Sequence, residues 1–380
     1  MLSAMTAPAG TPRARDLGVP FDGTQGPANA ITDVPGVEVG YVTLSDGPVQ
    51  TGVTAILPRG RDGVGTACAA ATFSLNGNGE LTGRSWIDES GSLALPVLIT
   101  NSHAVGTIHR GVVDWVALEH PAVAAQWMLP VVGETWDGYL NDINGAHVRQ
   151  EHAAEAIMLA HGGPIAEGSV GGGTGMNCYA FKGGSGTASR VVAHGGSSYT
   201  VGVFLQANFG KRSELRLAGV PLGRRSAAPN PMEESDWFSL DGVQQSSVAG
   251  AGSVIAVVAT DAPLLPGQLA AIARRVPLGL ARTGTTGSHF SGDIFLAFST
   301  ANAGAFGSRM PAGPATDADR DTIAALPWGH IDAFFEATVE AVEEAVANAL
   351  VAARDAVGRA GHASYALPHA ELRAAFSPTA

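Results

Sequence analysis

Charge is scarce in this chain. Asp, Glu, Lys and Arg make up 15% of its 380 residues, against about 25% in an average soluble domain. So few charges cannot cover a large free surface, which implies a subunit that buries much of itself against copies of itself. Basic residues are the scarcer sign, 22 against 34 acidic, for a net charge of −12. That balance disfavours nucleic acid and an anionic membrane surface as the main partner, since both want clustered Lys and Arg. No apolar stretch approaches the roughly 18 residues of a spanning helix. Met1 to Leu17 has no apolar h-region and carries Arg13 and Arg15 after its small residues. It does not read as a secretion signal, and a cytoplasmic location is expected. The two cysteines, Cys68 and Cys178, cannot build a disulfide framework and are expected as buried, reduced thiols.

Apolar residues and glycine are plentiful. Hydrophobic residues are 45% of the chain, ample for a sizeable core in one large domain or two ordinary ones. There are 50 glycines, nearly twice the usual share of about 7%. They lie between apolar runs without a period, so they mark tight turns and close backbone approaches. Strands are expected at Val37–Val42, Gly52–Leu57, Leu95–Thr100, Ala188–Ala193, Tyr199–Ala207, Val254–Thr260 and Asp293–Ser299. Helices are expected at Val148–Ala160, Leu264–Arg275 and Ile331–Val357, the longest. Between them, Gly210 to Gly252 is rich in Arg, Ser, Pro, Gly and Gln and reads as a long exposed connector. There is no internal repeat, and the mixture is α/β or α+β, with helices covering buried sheet.

Most standard chemical signatures are missing. The run Gly171-Gly172-Gly173-Thr174-Gly175 fits neither GxGxxG nor GxxxxGK[ST], so it reads as a turn packed close to other backbone. His147 and His152 are five apart, HExxH is absent, and no metal is expected. There is no GxSxG elbow and no SxxK. One junction stands out. The polar connector ends at Ala249-Gly250-Ala251-Gly252, and Ser253 opens a strand that is apolar throughout. A serine hydroxyl there can attack the carbonyl before it, and Gly252 tolerates backbone conformations that other residues resist. Cleavage frees an α-amine with a reference pKa of about 7.7–8.0, suited to act as a general base. Gly-Ser is equally how an ordinary strand begins.

The stretch Gly252 to Pro266 (GSVIAVVATDAPLLP) resembles the start of the small subunit in the DmpA-type aminopeptidases. That family of self-cleaving serine peptidases includes the L-aminopeptidase/D-amidase/D-esterase and the β-peptidyl aminopeptidases. Asp33–Val37 with Gly40, Glu134–Asp142 (ETWDGYLND), Gly171–Met176, Phe181–Gly184, Gln206–Gly210 and Ser291–Asn302 match in the same order. The resemblance implies a four-layer α/β/β/α sandwich, like that of the ornithine acetyltransferases and resembling the N-terminal nucleophile hydrolases, built from one catalytic domain over residues 1–380. It implies cleavage between Gly252 and Ser253 into a large subunit, 1–252, and a small one, 253–380, assembled as a homotetramer of cleaved pairs. Ser253 resembles the nucleophile, with Ser291 and Asp293 tuning its hydroxyl and amine. Asp293 stands where some relatives carry Glu. Asn208 resembles the side-chain donor of the oxyanion hole, where a fixed N–H is commonly worth about 3–4 kcal/mol. Glu134 resembles the carboxylate that pairs with a substrate's free ammonium. Trp136 stands where some relatives have a Tyr that donates to the oxyanion, and Tyr139 is a substitute donor. No cofactor is implied.

The expected activity is hydrolysis of short peptides, amides or esters with a free amino terminus, through an acyl-enzyme. Two alternatives stay open at this point: an uncleaved, non-catalytic binding protein, and an acyl-transferring relative in which an amine outcompetes water.

Overall fold

The computed structural model describes residues 11–237, 242, 252–307, 310, 311, 313–317 and 319–377. Two sheets carry the fold. Strands β1 (Glu38–Asp46), β2 (Val49–Leu57), β5 (Val97–Asn101) and β6 (Val131–Thr135) make a four-stranded sheet in the order β1-β2-β5-β6. The second sheet has six strands. They are β3 (Cys68–Ser74), β4 (Ser92–Leu93), β9 (Gly184–His194), β10 (Ser197–Asn208), β11 (Gly252–Thr260) and β12 (Ser291–Ser299), in the order β4-β3-β12-β11-β10-β9. All of its pairs are antiparallel except β11 with β12. A two-residue hairpin, β7 (Asn177–Cys178) with β8 (Phe181–Lys182), stands apart from both.

Three cores divide these sheets into four layers. Val39, Tyr41, Ile56, Val97 and Ile99 of the first sheet meet Phe204, Ile255, Val257, Leu296 and Phe298 of the second. On the far side of the first sheet, Val53, Ala55, Leu98 and Val132 pack on helices α1 (Val105–Glu119) and α2 (Glu151–Met158). On the far side of the second, Val203, Leu205, Val254, Ala256, Val258 and Phe295 pack against α3 (Pro266–Ala273), α4 (Val276–Arg282) and α5 (Asp332–Ala352). This is the expected α/β/β/α sandwich. Strand β11 is apolar without interruption because both of its faces are covered, Ile255 and Val257 by the other sheet and Val254, Ala256 and Val258 by helices.

Several local expectations need correction. The α2 helix starts at Glu151, three residues after the expected Val148, with Gln150 at its cap. The helix expected at Leu264–Arg275 runs over Pro266–Ala273, and a second, unexpected one follows at Val276–Arg282; each has a proline in its first turn, because proline without an N–H suits a helix start and not its interior. The long α5 stops at Ala352, and Ala356–Val357 is a short strand. The described part of the connector is exposed only in part. Arg212, Leu215, Leu217, Leu222 and Trp237 are buried, and the Arg212 guanidinium donates to the Tyr179 and Ala180 carbonyls at 3.2 and 2.5 Å. Residues 238–241 and 243–251, which complete that expected connector, lie outside the described residues. Both cysteines are buried and unpaired.

Candidate active site

Strand pairing builds the site. Ser253, second residue of β11, lies in register with Asn208 at the end of β10 on one side and Gly292 of β12 on the other. By strand alternation it shares a face with Ile255 and Val257, toward the four-stranded sheet. Ser253 is 2% exposed, and its Oγ has no hydrogen-bond partner among the described residues. A buried hydroxyl with nothing to bond is uncommon, and such a group is a candidate for chemistry.

Gly252 earns its place differently from the sequence expectation. Its φ is not in the left-handed region, and it lies in ordinary extended strand. What excludes a side chain is proximity: a Cβ there would sit 1.9 Å from the Asn208 carbonyl oxygen. Gly252→Ala is therefore expected to push the strand end off β10 and cost about 1–3 kcal/mol, as overpacking usually does. A melting curve measures it; an unchanged melting temperature contradicts the packing argument.

Asn208 is held at both ends of its amide. Its Oδ1 accepts from the Asn177 main-chain N–H at 2.9 Å, and its Nδ2 donates to the Trp136 carbonyl at 2.9 Å. An amide nitrogen carries two protons, so one donor remains beyond the Trp136 bond. Trp136 reaches Asn208 through its main-chain carbonyl, while its indole stacks on Trp237 with ring centroids 6.0 Å apart. The Tyr139 hydroxyl donates to the Ala363 carbonyl at 3.0 Å, and its ring stacks on His362. The structure thus engages Tyr139 away from Asn208.

Ser291 and Asp293 form a pair of their own. Ser291 Oγ donates to Asp293 Oδ1 at 2.5 Å, and Asn76 Nδ2 donates to Asp293 Oδ2 at 2.9 Å. They share the parity of Phe295, which faces the helices, whereas the Ser253 side chain lies on the opposite face. The Asp293 carboxylate meets β11 at its main chain, where the Val254 N–H helps to stabilise it. Burial pushes this carboxyl above its ordinary value, against the pull of Ser291, Asn76 and Val254. The arrangement aims Asp293 at the backbone around Ser253 rather than at the hydroxyl.

Glu134 lies within strand β6, not in a loop as its polar neighbours suggest. It is 6% exposed; Oε1 accepts from the Glu80 main-chain N–H at 3.0 Å, and Oε2 accepts from the Ser102 hydroxyl. Burial raises its pKa, and these two bonds oppose the rise. Gly79 lies between this carboxylate and β12: a Cβ on it would be 3.1 Å from Glu134 Oε1 and 3.0 Å from Gly292 Cα. Since Gly292 is the register partner of Ser253, the carboxylate and the hydroxyl belong to one site. One loop, Asn76 to Glu80, touches both halves of it. Asn76, Ser102 and the Glu80 amide were not found from the sequence. Asn76-Gly77-Asn78-Gly79 carries only a turn signal, and nothing local tells which strand ends the turn will meet.

Comparison with known proteins places the chain among peptidases. The model of peptidase family S58 matches residues 29–364. The beta-peptidyl aminopeptidase BapA of Sphingosinicella microcystinivorans is 48% identical over 384 aligned residues, covering 98% of this chain and 94% of that protein. Its namesake from Sphingosinicella xenopeptidilytica is 44% identical, with 97% and 92% covered. Among solved structures, a Burkholderia sp. beta-aminopeptidase superposes with a TM-score of 0.85 at 44% identity, covering 96% of this chain and 98% of that one. The L-aminopeptidase D-Ala-esterase/amidase of Ochrobactrum anthropi, described as a prototype for the serine aminopeptidases and a variant among the Ntn hydrolase fold, gives 0.86 at 41% identity, with 96% and 97% covered.

Proposed function

The chain belongs to peptidase family S58, and on that premise we propose that Ser253 makes it a self-cleaving serine aminopeptidase for short peptides, amides or esters with a free amino terminus. The observation that carries the assignment is the buried, unpartnered Ser253 hydroxyl at a strand end beside the fixed Asn208 amide. In the cleavage step, Ser253 Oγ attacks the Gly252 carbonyl carbon and loses its proton. The C–N bond breaks, the nitrogen takes a proton, and an ester joins Gly252 to the hydroxyl oxygen. Water hydrolyses the ester, leaving a Gly252 carboxylate and a free Ser253 amine. Residues 1–252 and 253–380 are then the two subunits.

Turnover reuses the same atoms. The α-amine takes the proton of Oγ as it attacks the substrate carbonyl, then delivers it to the leaving amine, and water releases the acyl group. Asn208 Nδ2–H faces the developing oxyanion. Asp293, aimed at the main chain, holds the α-amine in place. Glu134 pairs with the substrate's ammonium and so restricts the enzyme to free amino ends. The relatives named beta-peptidyl aminopeptidases support counting β-peptidyl compounds among the substrates. Assembly as a homotetramer fits the scarce charge and the exposed side chains of Leu118 and Trp127, 76% and 75% accessible.

A panel of β-Ala, L-Ala and D-Ala amides, each free and N-acetylated, tests the reading on wild type and Glu134→Gln. The substitution is expected to raise KM for free-amine substrates roughly 10- to 100-fold, since a hydrogen bond to a charged group is worth about 1.5–3 kcal/mol. The acetylated series starts poor and stays unchanged. An equal loss in both series contradicts the clamp. The pH dependence has a definite sign. Burial raises the Glu134 pKa, so the charged clamp is present above that value and lost as pH falls through it. KM for free amines should accordingly climb on the acid side at a pH above the ordinary carboxyl range.

A further inference from the structure

The chain has two lysines, and one of them, Lys182, is fully buried with no direct place in the chemistry above. Its Nζ donates to the Met176 carbonyl at 2.8 Å, to that of Gly183 at 3.1 Å and to that of Gly173 at 3.5 Å. The Met176 carbonyl belongs to the same peptide unit as the Asn177 N–H, and that N–H is the donor to Asn208 Oδ1. The bonds therefore run in one direction: Lys182 Nζ–H to Met176 C=O, Asn177 N–H to Asn208 Oδ1, and Asn208 Nδ2–H outward. We propose that Lys182 is a positioning residue for the oxyanion donor, fixing and polarising the Asn208 amide through the Met176–Asn177 peptide. The inference rests on the assignment of Asn208 as that donor.

Physical chemistry supports the chain of influence. A donor on a peptide oxygen draws electron density toward it and makes the N–H of that peptide a stronger donor; such chains strengthen each bond by perhaps 10–30%. The effect is greatest where water is absent, and Asn177 and Asn208 are both 5% exposed. A second support comes from the other side of Asn208. The Trp136 carbonyl that accepts from Nδ2 is followed directly by Asp137, fully buried among Thr51, Asn101 and Asn141. Burial lowers the Lys182 pKa to about 7 against the opposing pull of Asp137, and burial likewise raises the Asp137 carboxyl to about 7. A buried amine on one handle of the Asn208 amide is thus matched by a buried carboxyl beside the other. The Gly183 N–H also donates to the Met176 carbonyl, at 2.8 Å, but without charge.

The test is a double-substitution cycle, with self-cleavage followed in freshly made protein and turnover read once cleavage is complete. Lys182→Met keeps the length and removes donor and charge; Lys182→Gln, milder if the first folds poorly, keeps a neutral donor. Each is made alone and with Asn208→Ala, and kcat, KM, the self-cleavage half-time and the melting temperature are read in all of them. Lys182→Met is expected to lower kcat roughly 2- to 8-fold and slow self-cleavage alike, with KM for free-amine substrates unchanged and Gln milder than Met. In the Asn208→Ala background neither should lower kcat further. A loss of the same factor in that background overturns the proposal, because Lys182 then acts elsewhere. Single Lys182 variants that lose melting temperature but keep kcat overturn it as well. If Asn208→Ala alone keeps full kcat, it is the oxyanion assignment that falls, and the two failures are told apart.

Discussion

Ser253→Ala is expected to give a single polypeptide on a denaturing gel and to lower turnover by at least about 10⁴-fold, the scale seen when a nucleophile is deleted. Both effects follow from one missing oxygen: nothing attacks the Gly252 carbonyl, and nothing attacks a substrate. The variant should nevertheless fold. The Ser253 hydroxyl has no hydrogen-bond partner to lose, so the change leaves no orphaned donor or acceptor behind, and stability should shift by less than about 1 kcal/mol. A gel and a melting curve on the same preparation therefore separate chemistry from folding. Normal cleavage in Ser253→Ala would move the cutting nucleophile to another residue.

The second large effect is expected at Asn208. Asn208→Ala should lower kcat about 10²–10³-fold, the usual cost of removing one oxyanion donor, while KM stays near its starting value. Self-cleavage passes through a similar tetrahedral centre and should slow by a comparable factor. Unlike Ser253, this side chain is structurally committed. Its removal leaves the Asn177 N–H and the Trp136 carbonyl without their partner, at about 1–3 kcal/mol of stability. Melting should thus be impaired here and spared in Ser253→Ala. A variant that melts early but cleaves and turns over at the normal rate would reduce Asn208 to a structural strut.

How much of this could be read from the residues depends on where the information sits. Strand β11 was legible because burial on both faces demands an unbroken apolar run, and Val254 to Ala259 supplies it. Strand β3, Cys-Ala-Ala-Ala-Thr-Phe-Ser, was not, since small residues carry neither period nor bulk. Nor was α1, whose Ile108, Val112, Trp115 and Val116 face the sheet at helical spacing but are interrupted by Gly106, His109 and Gly111. The four-layer stacking followed from the family resemblance; local patterning only gave strands and helices. At the site, Ser253, Asn208 and Glu134 were named from the sequence, and strand register brings Asn208 and Ser253 side by side. Which face each side chain takes is a matter of register and alternation. Asp293 was expected to tune both hydroxyl and amine, yet its parity turns it to the main chain. Asn76 and Ser102 join segments far apart in sequence, through contacts that no local pattern encodes.

The account stands or falls on a single oxygen atom doing two jobs, and the intact mass of freshly purified protein followed beside its activity tests that most directly. The prediction is two masses, one ending at Gly252 and one beginning with a free Ser253 amine, appearing in step with the ability to hydrolyse free-amine amides. A 380-residue chain that stays whole while working at full rate, or one cut at another bond, would contradict it.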